Sequence, residues 1–141
     1  MADSVPASVP TIRQVVLDTT DARGLAEFYR RLFGLSYRAG DEPPADGAPD
    51  DADWLVLRNP GAVQLAFQQV ERLAAPTWPD GEVPQQLHLD CTVADVAALD
   101  AQTERALSLG ARLLRDRSDD PQEPLRVLAD PAGHPFCLFV G

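Results

Sequence analysis

Gln14-Val-Val-Leu-Asp-Thr-Thr-Asp21 and His88-Leu-Asp-Cys-Thr-Val-Ala-Asp95 lie 74 residues apart and share one pattern: a β-rich alternating run that ends on an aspartate. The residues C-terminal to each stretch also match. Leu25, Phe28, Tyr29 and Leu32 recur at helical spacing up to Gly34, with Thr20 or Asp21 placed to cap the start. Val96, Leu99, Thr103, Ala106 and Leu107 do the same up to Gly110. Three strand-like runs come next in each half: 35–38, 54–58 and 62–70 in the first, 111–116, 125–130 and 135–141 in the second. The turns Asn59-Pro60-Gly61 and Asp130-Pro131-Ala132-Gly133 precede the last run of each half. Strand-helix-strand-strand-strand, twice, is an internal repeat. It divides the chain into a leader (1–10), module one (11–70), a linker with three prolines (71–86) and module two (87–141). The expected fold class is α+β, built from two tandem βαβββ modules in a single domain.

Composition narrows the function classes. The 141 residues are 45% hydrophobic and 24% charged, the ordinary globular mix. Net charge is −10, and all twelve basic residues are arginine. A field of that sign repels phosphate backbones and supplies no polybasic anchor, so neither nucleic acid nor a membrane surface is an expected partner. Two cysteines are too few for a disulfide scaffold, and residues 1–10 do not read as a secretory signal. No apolar run is long enough to span a membrane, and a cytoplasmic location is expected. Residues 40–53 hold six acids, no base and three prolines, which reads as a solvated loop.

Alternation splits each strand into two faces. One is apolar: Val15 and Leu17; Val63, Leu65 and Phe67; Leu87, Leu89 and Cys91; Phe136, Leu138 and Val140. That face must carry the helices. The other holds Gln14 and Asp18, Gln64 and Gln68, His88, Asp90 and Thr92, and Cys137 with Phe139. It is either a solvent-facing side or, if the modules curl together, the lining of a small-molecule pocket. In the second case Trp54 and Trp78 are placed to stack on a flat ligand. His88 shares its strand face with Asp90 about 7 Å away, a candidate base with its orienting carboxylate. His134, in a turn, reads as a residue that fixes that turn.

Asp21 with Phe28-Tyr29 and Phe33-Gly34-Leu35, then His88 with Val93 and Asp95, Leu109-Gly110-Ala111 and the stretch Asp130–Phe139 together resemble the vicinal oxygen chelate superfamily, the glyoxalase, bleomycin-resistance and extradiol-dioxygenase group. The resemblance covers nearly all of residues 11–141. It implies a curved mixed sheet around a cavity, and a homodimer. In metal-dependent members it also implies a divalent ion held by four strand positions, here Gln14, Gln64, His88 and Cys137. Those relatives carry glutamates at the second and fourth positions, and this chain carries none. The expectation is therefore a small-molecule-binding protein without a tightly held metal cofactor, acting as a metal-independent lyase or isomerase through His88 and Asp90. The alternatives are a metal-dependent lyase or dioxygenase that binds a soft divalent ion at those four residues, and a resistance-type drug binder.

Overall fold

The computed structural model describes residues 9–141; most of the leader lies outside them. Each half supplies one four-stranded mixed sheet and one helix. Module one comprises β1 (Gln14–Thr19), α1 (Ala22–Phe33), β2 (Ser36–Tyr37), β3 (Trp54–Arg58) and β4 (Gln64–Gln69). Module two comprises β5 (Leu89–Val93), α2 (Val96–Ser108), β6 (Arg112–Arg117), β7 (Leu125–Ala129) and β8 (Pro135–Val140). The strand orders are β1-β4-β3-β2 and β5-β8-β7-β6, so the halves have the same topology. In each, the first and last strands run parallel and the others antiparallel. The last strand of module two begins at Pro135, where the missing N–H costs nothing at a strand start.

Local chemistry sets the helix ends. Asp21, not Thr20, caps α1: its carboxylate accepts the Gly24 N–H at 2.9 Å. Gly34 closes the helix in the left-handed region at φ 67° and donates its N–H to the Arg30 carbonyl. Asp95 repeats the N-terminal device on α2, accepting from Ala98 N–H at 2.7 Å.

The helix-facing sides of both sheets merge into one core. Tyr29 is central to it, with Phe33 and Phe67 stacked on its ring and Phe28 and Phe136 meeting it edge-on. Its hydroxyl donates to Asp130 at 2.7 Å, which ties α1 to the β7–β8 turn of the other module. Asp130 also accepts from the backbone N–H groups of Ala132 and His134. His134 is 3% exposed, and its Nε2 lies 2.6 Å from the Asp18 carbonyl of β1. The turn itself is held by the Asp130 carboxylate, and the His134 ring reaches across to module one instead. Arg105 of α2 adds a further tie by donating to the carbonyls of Arg31 and Leu32.

β1 and β5 are both edge strands, and no ladder joins them. The odd-numbered groups of β1 point to β4, as the bonds from Gln64 N–H to Arg13 and from Val70 N–H to Thr19 show. Residues 14, 16 and 18 therefore turn their backbone groups to the free edge. On β5, Val93 accepts from Gly141, which leaves residues 90 and 92 facing outward in the same way. The acidic segment 40–53 is held at its ends: Arg23 of α1 pairs with Asp50 at 2.7 Å and donates to the Asp41 carbonyl. The loop is thus fastened to α1 and, through the Val56 N–H on the Asp41 carboxylate, to β3.

Candidate functional site

Strand register places the polar residues in rows on the faces turned away from the helices. On sheet one, Gln14 stands opposite Gln64, and Asp18 opposite Gln68, which in turn stands opposite Trp54. On sheet two, Asp90 stands opposite Cys137 and Thr92 opposite Phe139. The Asp90 row continues through Val127 to Arg115 on β6.

His88 is not part of β5. The strand begins at Leu89, and the histidine sits one residue before it at the mouth of the sheet. Its ring is nevertheless tightly placed. Trp78 stacks on it with the planes 8° apart and centroids 5.4 Å apart. Gln85 Oε1 lies 3.1 Å from Nδ1, and Asp90 Oδ1 lies 3.4 Å from Nε2. One donor atom each from His88, Asp90 and Cys137 lies within 4.8 Å of the others.

The segment 71–86 is therefore more than a connector. Thr77 organises it: its N–H donates to the Val83 carbonyl and its hydroxyl accepts the Val83 N–H. Gly81 packs so closely on Thr77 that a Cβ there would stand 2.4 Å from the hydroxyl oxygen. Asp80 then reaches Arg115 of β6 at 3.2 Å. Trp78 on His88 and Asp80 on Arg115 hold the middle of this segment against sheet two. Gln85, Asp80 and Arg115 carried no signal in the sequence, because a structureless run gives no register from which to place them.

The candidate site on sheet one is looser. Gln14 and Gln64 are half-buried, and among the described residues their side chains make no hydrogen bond. Asp18 borders a polar cavity of about 360 Å³ with Arg72, Pro76, Gln85 and His134. That cavity shares Gln85 with the His88 cluster. A second, mostly apolar cavity of about 440 Å³ opens at the seam between the modules, lined by Val15, Phe33, Leu65, Leu89 and Cys91, with Asp90 at its rim.

Burial, reinforced by the negative charge of Asp90, pushes the Cys137 thiol up to about 11. Cys91 is pushed to about 12, again chiefly by burial. Neither is an activated nucleophile. The donors at Gln14, Gln64, His88 and Cys137 are thus two neutral amides, an imidazole and a protonated thiol. A hard octahedral ion of the Mg²⁺ type needs anionic oxygens there, and this set offers none.

Residues 14–139 match the family model described as a glyoxalase-like domain. No curated protein matches the chain significantly. Among solved structures, a glyoxalase/bleomycin resistance protein/dioxygenase family enzyme from Burkholderia phytofirmans PsJN is 18% identical, covering 90% of this chain and 95% of that one, with a TM-score of 0.65. A fosfomycin resistance protein from Mesorhizobium loti is 16% identical over 95% of this chain and 94% of its own, TM-score 0.65. Lactoylglutathione lyase from Agrobacterium tumefaciens is 19% identical over 98% and 96%, TM-score 0.59. At these identities the likeness is one of fold.

Proposed function

The chain belongs to the glyoxalase-like domain family, and from that premise we propose that it binds a small organic molecule on its polar sheet face and moves a proton on it through His88. The observation that carries this reading is the His88–Asp90 pair, 3.4 Å apart beneath the Trp78 ring. In the tautomer that donates Nδ1–H to Gln85 Oε1, the Nε2 lone pair is the base. A proton taken there forms an imidazolium beside the Asp90 carboxylate, which stabilises it. Gln85 is the orienting group, a role the sequence had suggested for Asp90. Trp78 offers an aromatic wall, and Thr92 and Phe139 extend the floor. The reaction class this supports is lyase or isomerase chemistry without a hard metal ion, in a homodimeric cytoplasmic protein.

The fluorescence of Trp78 reports on the site directly. Chelator-treated protein is titrated with bleomycin, fosfomycin, S-lactoylglutathione and a broad set of small polar metabolites. Expected is a saturable change in tryptophan emission with at least one compound, retained in Trp54→Phe and weakened at least tenfold in His88→Ala. If no compound gives a saturable change, or if His88→Ala binds as the parent does, the reading fails.

A further inference from the structure

Three parts of the fold build the polar cavity of about 360 Å³ that Asp18 borders, and none of them is the polar face of sheet two. β1 gives Asp18 and the β7–β8 turn gives His134. The segment 71–86 gives Arg72 and Gln85, with an apolar wall of Leu73, Pro76, Val83 and Pro84. We propose that this cavity binds a free α-amino acid, with Arg72 holding its carboxylate and Asp18 and His134 its ammonium group.

The first support is an unused atom on a buried ring. His134 is 3% exposed, and its Nε2 lies 2.6 Å from the Asp18 carbonyl. A carbonyl only accepts, so Nε2 carries the proton, and in the neutral ring Nδ1 is an acceptor. Among the described residues Nδ1 has no hydrogen-bond partner, yet no fully enclosed side-chain nitrogen or oxygen is left without one. Nδ1 therefore keeps open space beside it, at the wall of the cavity that the ring lines. It calls for an N–H or O–H donor.

The second support is charge. Asp18 and Arg72 line one cavity, yet among the described residues neither forms an ion pair, with the other or with a third group. An open anion and an open cation on one cavity match a ligand that carries both signs. Gln85, whose Oε1 faces His88, has its amide N–H groups left for a carboxylate. Net charge narrows the choice further. At −10 the chain repels a plain anion at long range, whereas a zwitterion carries no net charge. The volume lies near the lower end of the ~300–1,000 Å³ usual for small-molecule sites, and the apolar wall suits the amino acid's own side chain. The site binds and transforms nothing, and the inference stands apart from the proton chemistry at His88.

Full-length protein is titrated calorimetrically with each of the common α-amino acids, then with the methyl ester and the 2-hydroxy-acid analogue of any that binds. Expected is saturable binding of at least one amino acid, one per chain. Binding should be at least tenfold weaker for the ester, which lacks the carboxylate, and for the hydroxy acid, which lacks the ammonium. Arg72→Gln and Asp18→Asn should each weaken it at least tenfold, while His88→Ala binds as the parent does. The amino acid should raise the melting temperature of the parent and not that of either cavity variant, with circular dichroism of each reporting its fold. Absence of saturable binding overturns the proposal. So does an ester or hydroxy acid that binds as tightly as the amino acid, or an Arg72→Gln protein that binds as the parent does. Loss of binding in His88→Ala with retention in Arg72→Gln would move the ligand to the sheet face and overturn it equally. The sheet-face reading is judged separately, by compounds whose binding His88→Ala weakens.

Discussion

Asp130 shows how much a single buried carboxyl can do when three groups bond to it. Tyr29 hydroxyl and the backbone N–H groups of Ala132 and His134 all donate to it. Burial nevertheless dominates and raises its pKa above the usual carboxylate range. The folded state then holds the proton more tightly than the unfolded state. The stability from this group is full below the ordinary value of about 4 and falls as pH rises through the raised one. Asp130→Asn should remove that decline, seen as a flatter dependence of the urea midpoint on pH. Tyr29→Phe deletes one donor to the same carboxylate and should cost about 1–3 kcal/mol, measured by urea unfolding. His134→Ala should cost a similar about 1–3 kcal/mol, because it strips the Asp18 carbonyl of its partner. If His134 only fixed its own turn, the cost would fall well below that range.

Elements were legible wherever their chemistry is local. A cap at Thr20 or Asp21, the stop at Gly34 and the alternating faces of β1, β4, β5 and β8 come from patterns a few residues long. The segment 71–86 was not, since the positions of Trp78 and Gln85 depend on Thr77, Gly81 and a contact to Arg115 far along the chain. For the same reason the sequence showed His88 and Asp90 on one strand face, while the structure has the histidine just outside the strand, held by its neighbours in that segment. The acidic loop makes the complementary case: its composition reads as solvated, and Arg23, Arg38 and the Val56 N–H nonetheless fasten it. Arg23→Ala should leave global stability within about 1 kcal/mol, since exposed pairs contribute little. It should at the same time speed cleavage by an acid-specific endoprotease within 40–53, followed by mass spectrometry. Unchanged cleavage would mean that the loop is held by something other than Arg23.

The whole molecule is two modules that share a core without sharing a sheet. Aromatic packing around Tyr29, the Asp130 network, the His134 bond and the Arg105 bonds join them, and the free edges of β1 and β5 do not. Amides of Val16, Asp90 and Thr92 should therefore exchange with deuterium faster than those of Leu17 and Cys91, which point into their own ladders. Equal protection across the two sets would require a β1–β5 ladder in solution. The proposed homodimer is checked by sedimentation equilibrium, with twice the 15.3 kDa chain mass expected.

Because the seam is closed without a backbone ladder, its complementarity survives a break in the polypeptide. Two fragments cut after Val70 should each keep a full four-stranded sheet and find one another again on mixing. The chain is in that sense a natural split protein. A reporter fused to each fragment would come together only when the Tyr29 pocket is filled by Phe136 from the other piece.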